Sequence, residues 1–338
     1  LAIAEEGGIG RVVAYSQDFP PQGSWRNHPC CVLAAGGDLL REDTELVSCL
    51  AAILIIATVW VNDHPQEAAA ISRDWLMGDR NYSLGSASLS SQDVFRRSFS
   101  TLRFSTKPDQ EWICSFHNLV STMTEFLNTT EGPQTRHLNI STFYDSRARD
   151  RAEEAINQTR RFAVYSRERR IRIGYMMSDH HTPLFAAIRR WRQFQHSFGI
   201  ALRPQNEEMK RPELFDLLVG GENVREVELV STATGQSMMA LMEQGCLDMA
   251  LVGITPAIGA ISLGCDAKII MPIQNEGSGL VMAADSPARS WSGFVELAKV
   301  RSLRGRPLKI ADPDLGTIAD VLFQSALRDS GIVGVRAD

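Results

Sequence analysis

The chain has 338 residues, 22% of them charged and 44% hydrophobic, with a formal net charge of −5. That is long enough for two lobes with separate cores, and the composition is that of an ordinary soluble globular protein. The weakly acidic balance leaves no basic footprint for nucleic acid, although a small anion can still be held by local backbone N–H groups.

In chain order, residues 11–15 (RVVAY) are strand-like, Pro20-Pro21-Gln22-Gly23 is a loop, and residues 31–35 (CVLAA) are a strand. Residues 43–61 read as a long helix with acids at its start. Within it, LAAILIIATVWV (50–61) is the longest apolar run; it is short for a bilayer span and fits a buried core helix. Asp63, His64 and Pro65 end it. Residues 67–77, 93–102 and 109–126 also carry helical patterns, and SLGSASLSS (83–91) is a low-complexity loop. Residues 128–169 are polar and turn-rich, then charged and helical in pattern (SRARDRAEEAINQTRR), and read as a linker.

From residue 170 the pattern changes. IRIGYMM is a short apolar strand, and Ser178-Asp179-His180-His181-Thr182-Pro183 is a turn with N-cap candidates leading into one helix over 184–198. Residues 202–223 read as a loop or insertion, and 224–230 as a strand. Thr234-Gly235-Gln236 opens a helix over 237–244, MALVG (249–253) is a buried strand, and Ile254-Thr255-Pro256 begins the next helix. Residues 268–273 are a strand. After Asn275-Glu276-Gly277-Ser278-Gly279, LVMAAD is another. A weak helix over 292–304, a strand over 308–311 and a strong helix over 318–329 follow, with Gly331 at the stop. The alternation predicts a parallel α/β sheet.

The strings IRIGYMMSDHHTPLF, GQSMMALMEQGCLDMALVGITPAI and IIMPIQNEGSGLVM together resemble the nitrate/sulfonate/bicarbonate-type solute-binding proteins of ABC importers. The wider superfamily includes the thiamine-pyrimidine synthases. The resemblance implies a two-lobed periplasmic-binding-protein-like (type II) α/β fold. The first third (IAEEGGIGRVV, NHPCCVLAA, DLLREDTELVSCLAAILIIATVWVNDHPQEAA) resembles the later part of the same family, the return from the second lobe into the first. The order is thus inverted. A circular permutant, a fusion of two partial genes and an artefact of sequence assembly all fit, with roughly one strand-helix-strand unit of about 30 residues lacking from the second lobe. On this reading residues 170–285 plus 36–127 form lobe one, 286–338 plus 1–35 form an incomplete lobe two, and 128–169 link them.

In open α/β sheets ligands sit beyond the carboxyl ends of the strands, where helix N-termini offer unpaired N–H groups. The candidate ligand-binding residues are therefore Ser178, Asp179, His180, His181, Gly235, Gln236, Gly253, Thr255, Asp312, Gly316 and Thr317, with Asn275 and Glu276 at a hinge crossing between lobes and His28 and Cys30 at a strand start lining the cleft. Taken singly, each is explained as well by capping or turn chemistry. Six cysteines stand at 30, 31, 49, 114, 246 and 265 with no C-x-x-C pair, so most of them are expected to be small buried hydrophobes, without a structural zinc site. No P-loop, G-x-G-x-x-G or Ser-His-Asp pattern stands out. The expected function is capture of a small anionic or heterocyclic solute (nitrate, sulfonate, bicarbonate or thiamine-precursor class). The expectation carries no catalytic residue, metal or cofactor, and its partners are the membrane subunits of an ABC importer. The resemblance implies a periplasmic or extracytoplasmic location, although the chain opens at Leu1 with no signal-like segment. The alternative is an enzyme on the same fold in thiamine-pyrimidine or menaquinone-precursor synthesis, motivated by His28, Cys30, Cys31, His180 and His181.

Overall fold

The computed structural model describes residues 1–84, 87–131, 139–158, 162–164, 169–312 and 315–335. The strands, in chain order, are β1 (Gly10–Tyr15), β2 (Pro29–Gly36), β3 (Asn81–Leu84), β4 (Ala87–Ser90), β5 (Leu102–Phe104), β6 (Ile171–Met176), β7 (Ile200–Pro204), β8 (Leu214–Val219), β9 (Glu222–Thr232), β10 (Met249–Gly253), β11 (Ala267–Glu276) and β12 (Gly279–Ala283). Eight of them make one sheet in the order β5-β11-β2-β10-β6-β9-β8-β7. The fold is mixed α/β, as expected, but the sheet is mixed rather than purely parallel. β10, β6 and β9 run parallel, while β2 lies antiparallel to both of its neighbours, β10 and β11.

β2 explains much of the packing. Its run Cys31–Ala35 is apolar throughout and completely buried, as a central strand requires. Leu33 and Ala35 face one hydrophobic core while Val32 and Ala34 face the other, which is the strand period of two. The first core is dominated by the helix Thr44–Asp63. This helix is long and apolar enough to cross a membrane by length and composition, yet its side chains from Leu46 to Thr58 are all buried inside the protein. Asp43 caps it, its Oδ1 accepting from Leu46 N at 3.2 Å. Each large aliphatic side chain removed from water there contributes about 1.5–3 kcal/mol before the entropy of ordering is counted. The helix Pro65–Leu76 follows, with Pro at its first turn. Both helices pack against the helix Thr182–Arg189 of the second half.

The second core holds Trp112, Phe116 and Leu119 of the helix Gln110–Glu131, the short helices Gly235–Glu243 and Ile254–Ser262, and Phe294, Val321 and Leu322. A separate ribbon of β1 and β12, antiparallel, joins residues 10–15 to 279–283. The helices Trp291–Leu303 and Ile318–Asp329 stand beside it, capped by Ser290 and Thr317.

Several sequence expectations need correction. Residues 83–91 are not a plain loop, because β3 and β4 pair there as a hairpin whose residues 85–86 lie outside the described set. Residues 202–223 are not an insertion. The polar stretch 205–213 hides flanking strands β7 and β8, and Gly220 and Gly221, both with positive φ (63° and 92°), turn β8 directly into β9. The helix expected over 184–198 is two, Thr182–Arg189 and Trp191–Phe198, broken at Arg190. The guanidinium of Arg190 lies 4.8 Å over the Trp60 ring, a position that anchors the break against the first core. The strand expected over 308–311 makes no strand pairing; these residues line a cavity wall. Within the expected linker, the helix Arg147–Asn157 buries Ala148, Ala152 and Ala155 and packs on Thr44–Asp63, while 132–138, 159–161 and 165–168 lie outside the described residues.

Candidate functional site

Two cavities meet at His180. One, about 900 Å³, is walled by β12 and its flanks (Gly277 to Ala283), by Phe19, Phe294 and Phe323, and by the run 308–312. The other, about 440 Å³, is lined by Leu1 to Ile3, Phe95, Ser98 and Met177 to His180. Leu1, His180 and Gly277 line both. The sizes suit a small solute.

The turn after β6 positions the polar groups here. Ser178 caps a single 3-10 turn, its Oγ accepting from His180 N at 3.3 Å. Asp179 accepts from Ser98 Oγ at 2.5 Å, which ties the turn to the helix Ser91–Phe99. His180 projects toward β2, its Nδ1 3.6 Å from Cys30 Sγ and 3.5 Å from Cys31 Sγ. The three ligand atoms lie within 4.8 Å of one another. On its other side, His180 Nε2 is 3.9 Å from Asp179 Oδ1. Burial by itself would lower the imidazole, but the charge and hydrogen bond of Cys30 outweigh it and push His180 up to about 9. The hydrogen bond from Cys31 first, and then the His180 charge, hold the Cys30 thiol well below its ordinary range despite burial. Cys31, donating that bond and itself buried, is raised.

Two adjacent strand residues normally point to opposite faces. Here Cys31 pairs with Gln274 of β11 while Pro29 pairs with Asn275, so Cys30 is an extra, unpaired residue on β2. This bulge turns both thiols to one side, and both cysteines belong to the second core. The sequence carries no signal for a bulge, and Cys31 was accordingly absent from the expected binding set.

The other expected site residues divide. Asp312 lines the larger cavity. Gly316 (φ 74°) donates from its N to Asp320 Oδ2 at 2.8 Å, and Thr317 accepts from Asp320 N, so both shape the start of the helix Ile318–Asp329. His181 turns inward: Met176 N donates to its Nδ1 at 3.1 Å, and burial, then the neighbouring His180 charge, lowers it to about 3. His28 is also buried, its Nε2 2.7 Å from Ser16 Oγ, with burial lowering its imidazole. Asn275 donates to Asn27 Oδ1 at 2.9 Å, and Glu276 (φ 61°) accepts from Asn27 N at 2.7 Å. Both hold the loop before β2 and line neither of these two cavities.

Gly235, Gln236, Gly253 and Thr255 also line neither. Gln236 is exposed, and the buried Thr255 Oγ1 has no hydrogen-bond partner among the described residues. Gly253 is the N-cap of Ile254–Ser262. Gly235 permits a close approach instead: a Cβ there would lie 2.7 Å from Pro256 Cγ. Because the proline ring cannot swing aside, Gly235→Ala is expected to cost about 1–3 kcal/mol, read as a lowered midpoint in thermal melting. An unchanged midpoint would mean the two helix starts separate freely. Sequence reasoning missed the cavity's aromatic walls, since Phe19, Phe294 and Phe323 come from segments with no shared pattern.

Residues 166–335, half of the chain, match the NMT1-like family. An uncharacterized protein of Methanocaldococcus jannaschii is 36% identical over 105 residues, covering 31% of this chain and 70% of that protein. No solved structure matches the chain. The strand-turn-helix order around His180 lies inside the matched stretch, and on these matches the chain belongs to the NMT1-like family.

Proposed function

We propose that this protein is the solute-binding component of an ABC importer, working outside the cytoplasm and capturing a small anionic or heterocyclic solute. The observation that carries the reading is the pair of cavities meeting at His180, beyond the carboxyl end of β6, where open α/β sheets take ligands. Ser178, Asp179 and His180 on one wall and Asp312 on the other are its ligand-facing polar residues. His180 lines both cavities and offers its imidazole as a hydrogen-bonding group to such a solute.

The permuted reading of the chain belongs to the same proposal. β2, from the first third, lies antiparallel between β10 and β11 of the family-matched half. That is the place a strand returning from a second lobe would take. The smaller lobe would then be the β1–β12 ribbon with the helices Trp291–Leu303 and Ile318–Asp329, its limits differing from the expected 286–338 plus 1–35 because β12 (279–283) joins it while β2 (29–36) belongs to the large sheet.

Differential scanning fluorimetry against nitrate, bicarbonate, alkylsulfonates and thiamine precursors tests the function. A ligand at a hundred times its Kd is expected to stabilise the folded state by about 2.7 kcal/mol, a rise of several degrees for one class and not the others. A cooperatively melting sample that shifts with none of them overturns this ligand range.

A further inference from the structure

We propose that Cys30, Cys31 and His180 form a three-ligand site for a zinc-class divalent ion, with the fourth position open to the cleft. The proposal stands on side-chain geometry and is independent of the import reading. A tetrahedral zinc ion with Zn–S near 2.3 Å and Zn–N near 2.0–2.1 Å sets its sulfur and nitrogen ligands about 3.6 Å apart. The Nδ1 to Sγ distances are 3.6 and 3.5 Å. The sulfur–sulfur span of such a site is about 3.8 Å, and all three atoms already fall within 4.8 Å. The binding atoms therefore stand near their metal-bound positions before any ion arrives.

The supporting shell fits as well. Nδ1 of His180 faces the thiols, while Nε2 faces the Asp179 carboxylate at 3.9 Å, which is itself fixed by Ser98. A carboxylate behind a histidine selects the tautomer and raises its basicity as a ligand. The bulge at Cys30 has no evident part in the sheet's own pairing, since it interrupts the β2–β11 ladder. Its effect is to bring a second thiol onto the His180 side, and bulges of this kind commonly re-aim a side chain beside a functional site. Two thiolates and one imidazole suit zinc over magnesium or calcium, which take oxygen ligands. No further His, Cys, Asp or Glu joins the cluster among the described residues. Three protein ligands with a vacant fourth position is the arrangement of sites that bind an exogenous group, whereas structural zinc sites are closed by four. His180 is 27% exposed and lines both cavities, so water or a solute in the cleft has access to that position.

The test uses the full chain, reduced and freed of metal with a chelator, then titrated with Zn²⁺ against a chromophoric competitor and, separately, with Co²⁺. One equivalent is expected to bind, with cobalt showing thiolate charge-transfer absorption in the near ultraviolet. Cys30→Ser, Cys31→Ser and His180→Ala are each expected to abolish stoichiometric binding. Asp179→Asn should weaken it about tenfold or more, and Cys114→Ser, at an exposed position, should leave it unchanged. Should the substituted proteins fail to fold, the wild type decides: bound Zn²⁺ is expected to protect Cys30 and Cys31 from iodoacetamide, read by peptide mass spectrometry. Binding that survives loss of both thiols, or alkylation at 30 and 31 that is indifferent to zinc, overturns the proposal.

Discussion

Asp43→Ala is expected to destabilise the protein by about 3–5 kcal/mol, because it takes a carboxylate partner from a buried guanidinium and a cap from a long helix. Arg225 of β9 has a side chain only 2% exposed and meets Asp43 Oδ2 at 3.0 Å, with Asp43 itself 10% exposed. Asp43 also caps the helix Thr44–Asp63 through its other oxygen. The two roles separate by substitution. Asp43→Asn keeps a capping acceptor and is expected to recover about 1 kcal/mol of the loss. The double variant Asp43→Ala with Arg225→Met removes both charges and is expected to be more stable than Asp43→Ala alone. Urea unfolding of the four proteins measures all of this. A loss below about 1 kcal/mol for Asp43→Ala would show that water or other groups meet the Arg225 charge in solution.

Trp75→Ala is the second large effect, expected to cost about 3–5 kcal/mol. Trp75 is fully buried and stacks on Phe185 at 4.8 Å with the rings 12° from parallel. Arg189 lies over the indole at 5.6 Å, and Arg211 donates to the Trp75 carbonyl at 2.5 Å. The residue therefore joins the helix Pro65–Leu76 to the helix Thr182–Arg189, whose N-terminal turn carries Asp179 and His180. Trp75→Phe retains a stacking partner for Phe185 and is expected to lose much less. If Trp75→Ala melts within a degree or two of the wild type, the two helices are held together by other contacts.

The α/β class, the long buried helix and most strands in residues 170–283 were legible because buried strands and amphipathic helices write their periods into the sequence. What escaped was set by partners distant in the chain. β7 and β8 were hidden because a polar loop, 205–213, dominated the window around them. The expected strand at 308–311 has suitable residues, but no neighbouring strand pairs with it. At the site, the turn Ser178 to His180 could be placed at a strand end from local pattern alone. The inward direction of His181 and the convergence of Cys30 with Cys31 could not. The first depends on the bond from the Met176 backbone N–H to the His181 ring, and the second on the bulge in β2 opposite β11. Asn275 and Glu276 show the same limit: polar residues at a crossing were expected to meet ligand, and they hold Asn27 instead.

The position of β2 also constrains the order in which the molecule can be made. Cys31 finds its neighbours only in Gly253 and Gln274, so both edges of this wholly apolar strand stay bare until most of the chain exists. At ordinary synthesis rates of about 5–20 residues per second, that interval lasts roughly 10–50 s. During it the nascent chain also carries the apolar helix Thr44–Asp63, with no sheet to cover it. Such a chain folds late and has a high contact order, and in the meantime it exposes the kind of edge that recruits other chains. A fragment ending before β6 would hold that state permanently, and the family-matched half expressed alone would keep a strand-wide gap between β10 and β11. Neither half alone can close the eight-stranded sheet, which is finished only after β11, the last of its eight strands in chain order, has left the ribosome.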